Sequence, residues 1–138
     1  KPDAFMSDVA LNLGNLAFMH YNLSNYDVAE VYYSEVVTIY RNCVLKSPEI
    51  YNQKIAEALN MQSYCYFELG KIDIVLPTID EAIEIHPLAK YYDSKGEFLM
   101  HLGKIDEAKA VYEKILEIEP KYFENNHTEF YKLLFIEK

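Results

Sequence analysis

Two 18-residue segments of this chain are copies of one pattern, and their spacing limits the folds available to it. They occupy residues 70–87 and 103–120; both begin with Gly and end with Pro, so each landmark recurs after 33 residues. In the second copy, apolar residues recur at the three- and four-residue spacing of an amphipathic helix, namely Ile105, Ala108, Val111, Tyr112, Ile115 and Leu116. A fixed period of this length predicts a solenoid of helix pairs.

The pattern can be followed through three units in one register. The third unit reads Tyr92-x2-Lys95-Gly96-x2-Leu99, then Ala108-x3-Tyr112 and Pro120. The second reads Leu59-x2-Gln62-Ser63-x2-Tyr66, then Val75-x3-Ile79-x2-Ala82 and Pro87. The first reads Leu13-x2-Leu16-Ala17-x2-His20, then Tyr26-x2-Ala29-x3-Tyr33-x2-Val36. The chain therefore resembles the tetratricopeptide repeat family, whose units share this order of aromatic, small and proline positions.

This resemblance implies an all-α fold, a right-handed α-solenoid of antiparallel helix pairs with about three tetratricopeptide repeats and a C-terminal capping helix. We expect a single domain over residues 1–138. Its parts are repeat 1 at about 3–46, repeat 2 at about 48–87, repeat 3 at about 88–120 and a capping segment at 121–138. Within the first helix, Val9, Leu13, Leu16, Ala17 and His20 are predicted to share the core side, with Phe5 and Met6 beginning the stripe.

The second helix pair is predicted to be longer than the others. From Ala29 to its counterpart Val75 is 46 residues, which is twelve more than a unit of about 34 residues gives. Because residues 41–52 stay helical in pattern, we expect each helix of this hairpin to gain about six residues, or roughly 9 Å. The hairpin resembles the extended repeats of kinesin light chains and bacterial relatives. Asn25 is expected to cap its first helix, and Val44, Leu45, Ile50 and Tyr51 to pack its tip.

Composition narrows the classes of partner and compartment. The formal net charge is −9, which argues against a nucleic-acid partner and favours basic or apolar ones. The longest apolar run is too short for a membrane span, so we expect no membrane insertion. Cys43 and Cys65 lie in predicted helices without metal-ligand spacing, which favours reduced, buried thiols over a disulfide. The sequence leaves the compartment unknown, with the cytoplasm favoured. Since the first residue is Lys1, we expect a fragment or a processed chain.

No residue set has the spacing of a catalytic or metal site. The four histidines are scattered over different units: His20, His86, His101 and His127. The sequence holds no His-Glu-x-x-His motif, no Cys-x-x-Cys motif and no glycine-rich phosphate loop. Acidic pairs such as Glu81 with Glu84 are more simply solvated helix faces. We therefore predict that the chain is not an enzyme and needs no cofactor.

A binding surface can be predicted from the side of each first helix that lies beside its core stripe. The resemblance implies that this side lines a concave groove holding peptides or partner helices. The residues placed there by spacing are Asn15, Phe18 and Asn22 in the first unit, Asn60, Tyr64, Phe67 and Glu68 in the second, and Asp93, Glu97 and His101 in the third. These side chains offer apolar area, amides that can bond a peptide backbone, and acids that favour a basic partner. Half-burial of the rings between helices is the competing interpretation.

Three functions are compatible with these features. The main hypothesis is a protein-protein interaction module, a scaffold or adaptor that binds a peptide or partner helix of basic and apolar character. The first alternative is a ligand-sensing regulatory domain fused to an effector in the full-length protein. The second is a structural repeat that self-associates through an exposed face.

One binding mode of the family is predicted to be missing. Tetratricopeptide domains that hold the acidic C-terminal tails of chaperones grip the terminal carboxylate with Lys, Asn and Arg on their first helices. The corresponding positions here hold Gly14, Phe18, Met61, Lys90 and Ser94. Only Lys90 fits that set, so the sequence predicts no measurable binding of such tails.

Overall fold

The computed structural model describes residues 2–44 and 46–126, and these residues form helices and turns without a β-strand. Seven helices follow one another along this part of the chain: α1 (Pro2–Asn22), α2 (Tyr26–Cys43), α3 (Pro48–Glu68), α4 (Ile72–Ile85), α5 (Ala89–His101), α6 (Ile105–Ile118) and α7 (Tyr122–Asn125). The predicted all-α class is confirmed. The expectation of a capping helix beyond residue 126 and of a tip contact by Leu45 concerns positions outside the described residues.

The helices form two compact units, and the division falls between the second and third predicted repeats. Unit 1 is Lys1–His86 and contains α1 to α4, where α1 packs on α2, α2 on α3 and α3 on α4. Unit 2 is Pro87–Lys138 and contains α5 to α7, with α5 packed on α6. Within each unit short turns join the helices that pack on one another, so these neighbours pair antiparallel, as the repeat pattern predicts.

The same turn closes the helix pair of every repeat. Ser24, Gly70 and Gly103 occupy equivalent positions and all have a left-handed backbone, with φ of 63°, 75° and 76°. In each turn the next residue donates its backbone N–H to the carbonyl five residues back, at 2.8 to 2.9 Å. The left-handed residue itself donates to the carbonyl three residues back, at 3.0 to 3.1 Å. This is the Schellman motif, which satisfies the last carbonyls of a helix and reverses the chain.

Small residues allow the two helices of each repeat to approach closely. The equivalent positions in α1, α3 and α5 hold Ala17, Ser63 and Gly96, and all three are buried. At Gly96 the contact is so close that an added Cβ would lie 2.7 Å from Cε1 of Tyr112, a fully buried ring on α6. The third repeat therefore requires glycine at this position for steric reasons.

The second hairpin is extended, as the sequence predicts, but the added length is unequal. Helix α2 has 18 residues against 14 in α4 and α6, whereas α3 has 21 against 13 in α5. The first helix thus gains four residues and the second eight, instead of six each. Pro48 at the start of α3 explains the asymmetry, because proline is well suited to the first turn of a helix and begins α3 soon after α2 ends.

Two local predictions for this hairpin are wrong. Asn25 does occupy the N-terminal boundary of α2, but its side chain makes no capping bond and its Nδ2 lies 3.4 Å from Nδ1 of His20. Ile50 does not pack the tip, since 55% of its surface is exposed. Tyr51, which is also predicted to pack the tip, does contact another ring there: its centroid lies 5.7 Å from that of Tyr40.

Candidate peptide-binding surface

Helix α1 presents three different faces, and the candidate site begins with one of them. The first face is buried against α2 and centres on Ala10 and Ala17. A second face carries the predicted site residues Asn15, Phe18 and Asn22. A third face, one residue further along the sequence and so rotated by about 100°, carries Leu16, Met19 and Leu23. The second and third faces are exposed in the described part of the chain.

The second face of α1 presents an exposed ring between two amides. Phe18 is 53% exposed, and Asn15 and Asn22 on either side of it are also exposed. They follow one another at three- and four-residue spacing, which places all three side chains on one stripe of the helix. The competing interpretation, that this ring is half-buried between helices, is therefore wrong for Phe18.

The equivalent stripe of α3 is more enclosed. Asn60, Tyr64 and Phe67 are half-buried, and Glu68 at the C-terminal end of the stripe is exposed. The Oδ1 atom of Asn60 is buried and has no hydrogen-bond partner among the described residues. A buried acceptor without a hydrogen bond lowers the stability of a protein by about 1 to 3 kcal/mol. The α3 stripe therefore places an unsatisfied acceptor beside the rings of Tyr64 and Phe67.

Helix α2 supports both stripes because it packs against α1 and α3. Tyr33 of α2 is almost fully buried, and it interacts electrostatically with Tyr21 of α1 and with Glu57 and Cys65 of α3. Burial is the main reason that the pKa of Tyr33 is raised, and it also raises the pKa of the Cys65 thiol to about 12. Both groups stay neutral at physiological pH, so the contact between α2 and α3 at these two residues carries no charge.

In unit 2 the predicted residues lie on α5 and differ in what holds them. Asp93 accepts a hydrogen bond of 2.8 Å at Oδ2 from the hydroxyl of Tyr122, which is buried at the start of α7. Glu97 is half-buried and His101 is exposed. Asp93 thus anchors the segment after α6, a role that sequence spacing did not indicate because the two residues are 29 positions apart.

Charge is distributed unequally between the two units. Residues 1–86 contain twelve acidic and five basic residues, giving −7 of the formal −9. Two of the basic side chains in unit 1 are engaged with acids on other elements: Arg41 pairs with Glu81, and Nζ of Lys71 lies 3.9 Å from Glu30. The negative potential that would attract a basic partner therefore belongs mainly to unit 1.

The third face of α1 is a feature that the sequence prediction placed incorrectly. The repeat register predicts Leu16 on the core side, yet this residue is 39% exposed, and Phe5 and Met6 are exposed as well. Met19 and Leu23 continue the same face and are 48% and 64% exposed. The register assigns Leu16 to a buried position because its counterpart in the pattern packs on a neighbouring helix, and Leu16 lacks that packing within the described part of the chain.

Within the described residues there is no cluster of three or more His, Cys, Asp or Glu side chains that could hold a metal ion. The described helices also include none with the length and apolar character of a membrane span.

Comparison with known proteins agrees with this arrangement. Sequence profiles of the tetratricopeptide repeat match residues 10–42 and residues 89–122. One similar solved structure is the first such domain of Spaghetti (RPAP3) bound to the HSP90 peptide SRMEEVD, with 25% identity, a TM-score of 0.63 and coverage of 93% of this chain and 91% of that one. Another is the first such domain of human RPAP3, with 26% identity, a TM-score of 0.62 and coverage of 93% and 88%. No curated protein matches the sequence.

The fold is that of a helical-repeat protein built from helix pairs. The chain carries tetratricopeptide repeats at residues 10–42 and 89–122, and the sequence register and the similar structures support the same class. Members of this family act as protein-protein interaction scaffolds, which is the general function that the sequence predicts.

Proposed function

We propose that unit 1 is a protein-interaction module that binds an extended peptide or partner helix of apolar and basic character along the α1 and α3 stripes. The observation that carries this proposal is the exposure of Phe18 between Asn15 and Asn22. An exposed ring flanked by amides provides apolar contact area together with groups that bond a peptide backbone. The formal charge of −7 over residues 1–86 supports a basic ligand.

The similar structure with an HSP90 peptide supports a peptide as the class of ligand, and its peptide is a useful probe. That peptide, SRMEEVD, carries three acidic residues and so has the opposite charge to the ligand proposed here. The positions implied by the resemblance to bind a terminal carboxylate hold Gly14, Phe18 and Met61 in unit 1. None of these three side chains carries a positive charge.

The test is calorimetric titration with two heptapeptides that differ in charge. We expect SRMKKVK to bind and SRMEEVD not to bind, with binding weakened by added salt because exposed charges are screened. Replacing Phe18 by Ala should cost about 1 to 3 kcal/mol of binding, the usual range for an interface anchor. Phe5→Ala is the matched control, since Phe5 is 66% exposed on α1 but lies off the stripe.

The Asn60→Ala variant should change peptide binding and protein stability in different directions. Because the Oδ1 atom of Asn60 has no partner among the described residues, its removal should leave stability unchanged or raised while it weakens peptide binding. Tight binding of SRMEEVD that survives the Phe18→Ala change would contradict both the site and the ligand charge.

A further inference from the structure

The third face of α1 carries an apolar cluster at its C-terminal end, and the exposed Asn12 separates this cluster from Phe5. It consists of Leu16, Met19 and Leu23, with Phe5 on the same face near the N-terminal end of the helix. The four side chains are between 39% and 66% exposed. Exposed apolar residues are ordinary when they are scattered, but an aligned set along one helix face is characteristic of an interaction surface.

The second repeat shows what covers this face when the same position is packed. In the repeat register Leu16 corresponds to Gln62 of α3, and Met19 corresponds to Cys65. Both counterparts are buried, at 6% and 0% exposure, and α3 packs on α2. The Cys65 thiol interacts electrostatically with Glu30 on α2. The helix α2 is therefore part of what covers the Cys65 position in repeat 2.

The residues at these equivalent positions differ in size and polarity. Gln62 and Cys65 are smaller or more polar than Leu16 and Met19, yet they are the buried pair. The face of α1 thus carries more apolar area than its covered counterpart on α3. Each fully buried side chain of this size contributes favourably to association through the area removed from water.

Charge around the face indicates the character of the helix that would cover it. Residues 1–40 contain five acidic residues and one basic residue, Lys1. Asp8 on α1 and Asp27 at the start of α2 are exposed. A helix with lysine or arginine beside its apolar stripe complements these acids. A second copy of this chain, with its own formal charge of −9, would be repelled.

We propose that the α1 face formed by Leu16, Met19 and Leu23 binds an amphipathic helix of another protein, with basic residues flanking its apolar stripe, in the manner in which α2 packs on α3. This surface is separate from the peptide stripe of Phe18, since the two faces are about 100° apart on the helix. The chain would then offer two independent contact surfaces on one helix.

The probe is an 18-residue peptide of leucine and lysine, with the leucines at three- and four-residue spacing so that they form one stripe on a helix. A peptide of the same composition with its leucines dispersed is the control for net charge. A striped peptide of leucine and glutamate tests whether the charge of the partner helix must be positive. Binding is followed by fluorescence anisotropy of the labelled peptides. We expect the striped basic peptide to bind at least about tenfold more tightly than either control.

The variants distinguish this surface from the peptide stripe. The double change Leu16→Gln with Met19→Gln should weaken binding of the helical peptide by about tenfold or more and leave heptapeptide binding unchanged. Phe18→Ala should weaken heptapeptide binding and leave binding of the helical peptide unchanged. Glutamine is chosen because the second repeat carries Gln62 at the equivalent position, and both replaced side chains are exposed, so the fold should tolerate the change.

Three results would overturn the proposal. One is equal binding of the striped and dispersed peptides, which would show that the net charge of the peptide alone accounts for its binding. Another is self-association in sedimentation experiments that the double variant abolishes, which would assign the face to a second copy. The last is tighter binding of a peptide of residues 127–138 than of the striped probe, which would assign the face to the chain's own C-terminal segment.

Discussion

At the scale of single residues, Gly96 is the described glycine at which an added Cβ would clash, because it would lie 2.7 Å from Cε1 of Tyr112. Replacing Gly96 by Ala should destabilise unit 2 by about 1 to 2 kcal/mol, because overpacking of the buried ring outweighs the gain in helix propensity. Urea unfolding followed by circular dichroism measures the change. Gly14→Ala is the matched control: Gly14 lies within α1 with no atom within 4 Å of an added Cβ, so stability should rise by about 0.5 to 1 kcal/mol. Equal effects at the two glycines would contradict the steric account.

The three repeat turns make a second residue-scale prediction. Ser24 adopts the left-handed conformation that Gly70 and Gly103 adopt without strain. Ser24→Gly should therefore stabilise the protein by about 0.5 to 1 kcal/mol, since a side chain in this region is costly. Thermal unfolding of this variant should be compared with that of Gly70→Ser, which should lose about 1 kcal/mol. A loss of stability in Ser24→Gly would mean that the serine hydroxyl, 3.4 Å from the Tyr26 hydroxyl, contributes more than the strain.

At the scale of elements, side-chain contacts of Tyr122 and Phe123 hold α7 against the rest of unit 2. The Tyr122 hydroxyl bonds Asp93, and the Phe123 ring meets the Tyr112 ring edge-on with centroids 5.9 Å apart. Removing residues 121–138 should therefore lower stability, because it exposes the buried Tyr112 and leaves Asp93 without this bond. Urea unfolding of the shortened chain is the measurement. A shortened chain as stable as the full one would contradict the capping role.

A single substitution tests the polar half of this attachment. Tyr122→Phe keeps the ring and removes the hydroxyl, so it should cost about 1 kcal/mol, the usual value for a hydrogen bond in a partly buried setting. Tyr26→Phe is the control, because its hydroxyl makes only a long, exposed contact with Ser24. The two variants should differ in unfolding midpoint, and no difference would leave ring packing as the sole attachment.

The elements also show which parts of the fold can be read from the sequence. Repeat spacing predicted the helices, the core position of Ala17 and the longer second hairpin. It could not predict the Asp93 to Tyr122 bond, which joins residues far apart in sequence, or the exposure of Leu16. A register states which face is apolar, whereas exposure depends on whether another helix lies on it.

The candidate site was predictable to a similar extent. Spacing predicts Phe18 and Asn60 on stripes beside the core, and in the structure Phe18 is exposed and Asn60 is half-buried. It could not distinguish the exposed Phe18 from the half-buried Tyr64, since both occupy the same register position. The difference arises from packing against other helices, which the local pattern does not encode.

At the scale of the whole molecule, stability should fall in alkaline solution. Burial raises the pKa of Cys65 from 9.0 to about 12, and it also raises the pKa values of Tyr33, Tyr40 and Tyr66. Between the ordinary pKa of each group and its raised pKa in the folded protein, the unfolded chain loses a proton that the folded chain keeps. The contribution is therefore complete below about pH 9 and is lost as the pH rises toward 12, by up to about 1.4 kcal/mol per pH unit for each group.

Urea unfolding at about pH 8 and pH 10 measures this loss. Among the groups whose pKa burial raises, Cys65 has the lowest ordinary pKa, so the stability of Cys65→Ala should decline less steeply over that interval than that of the unchanged protein. Parallel declines would show that the thiol is not the group responsible.

The packing of consecutive helices also has a kinetic consequence. The main contacts of unit 1 join α1 to α2, α2 to α3 and α3 to α4, and those of unit 2 join α5 to α6. Each contact closes a loop of only a few residues, so little chain entropy is lost before the contact is gained. Chains with such local contacts fold fast, and any hairpin can form first. Different molecules can thus reach the same native state by nucleating at different repeats.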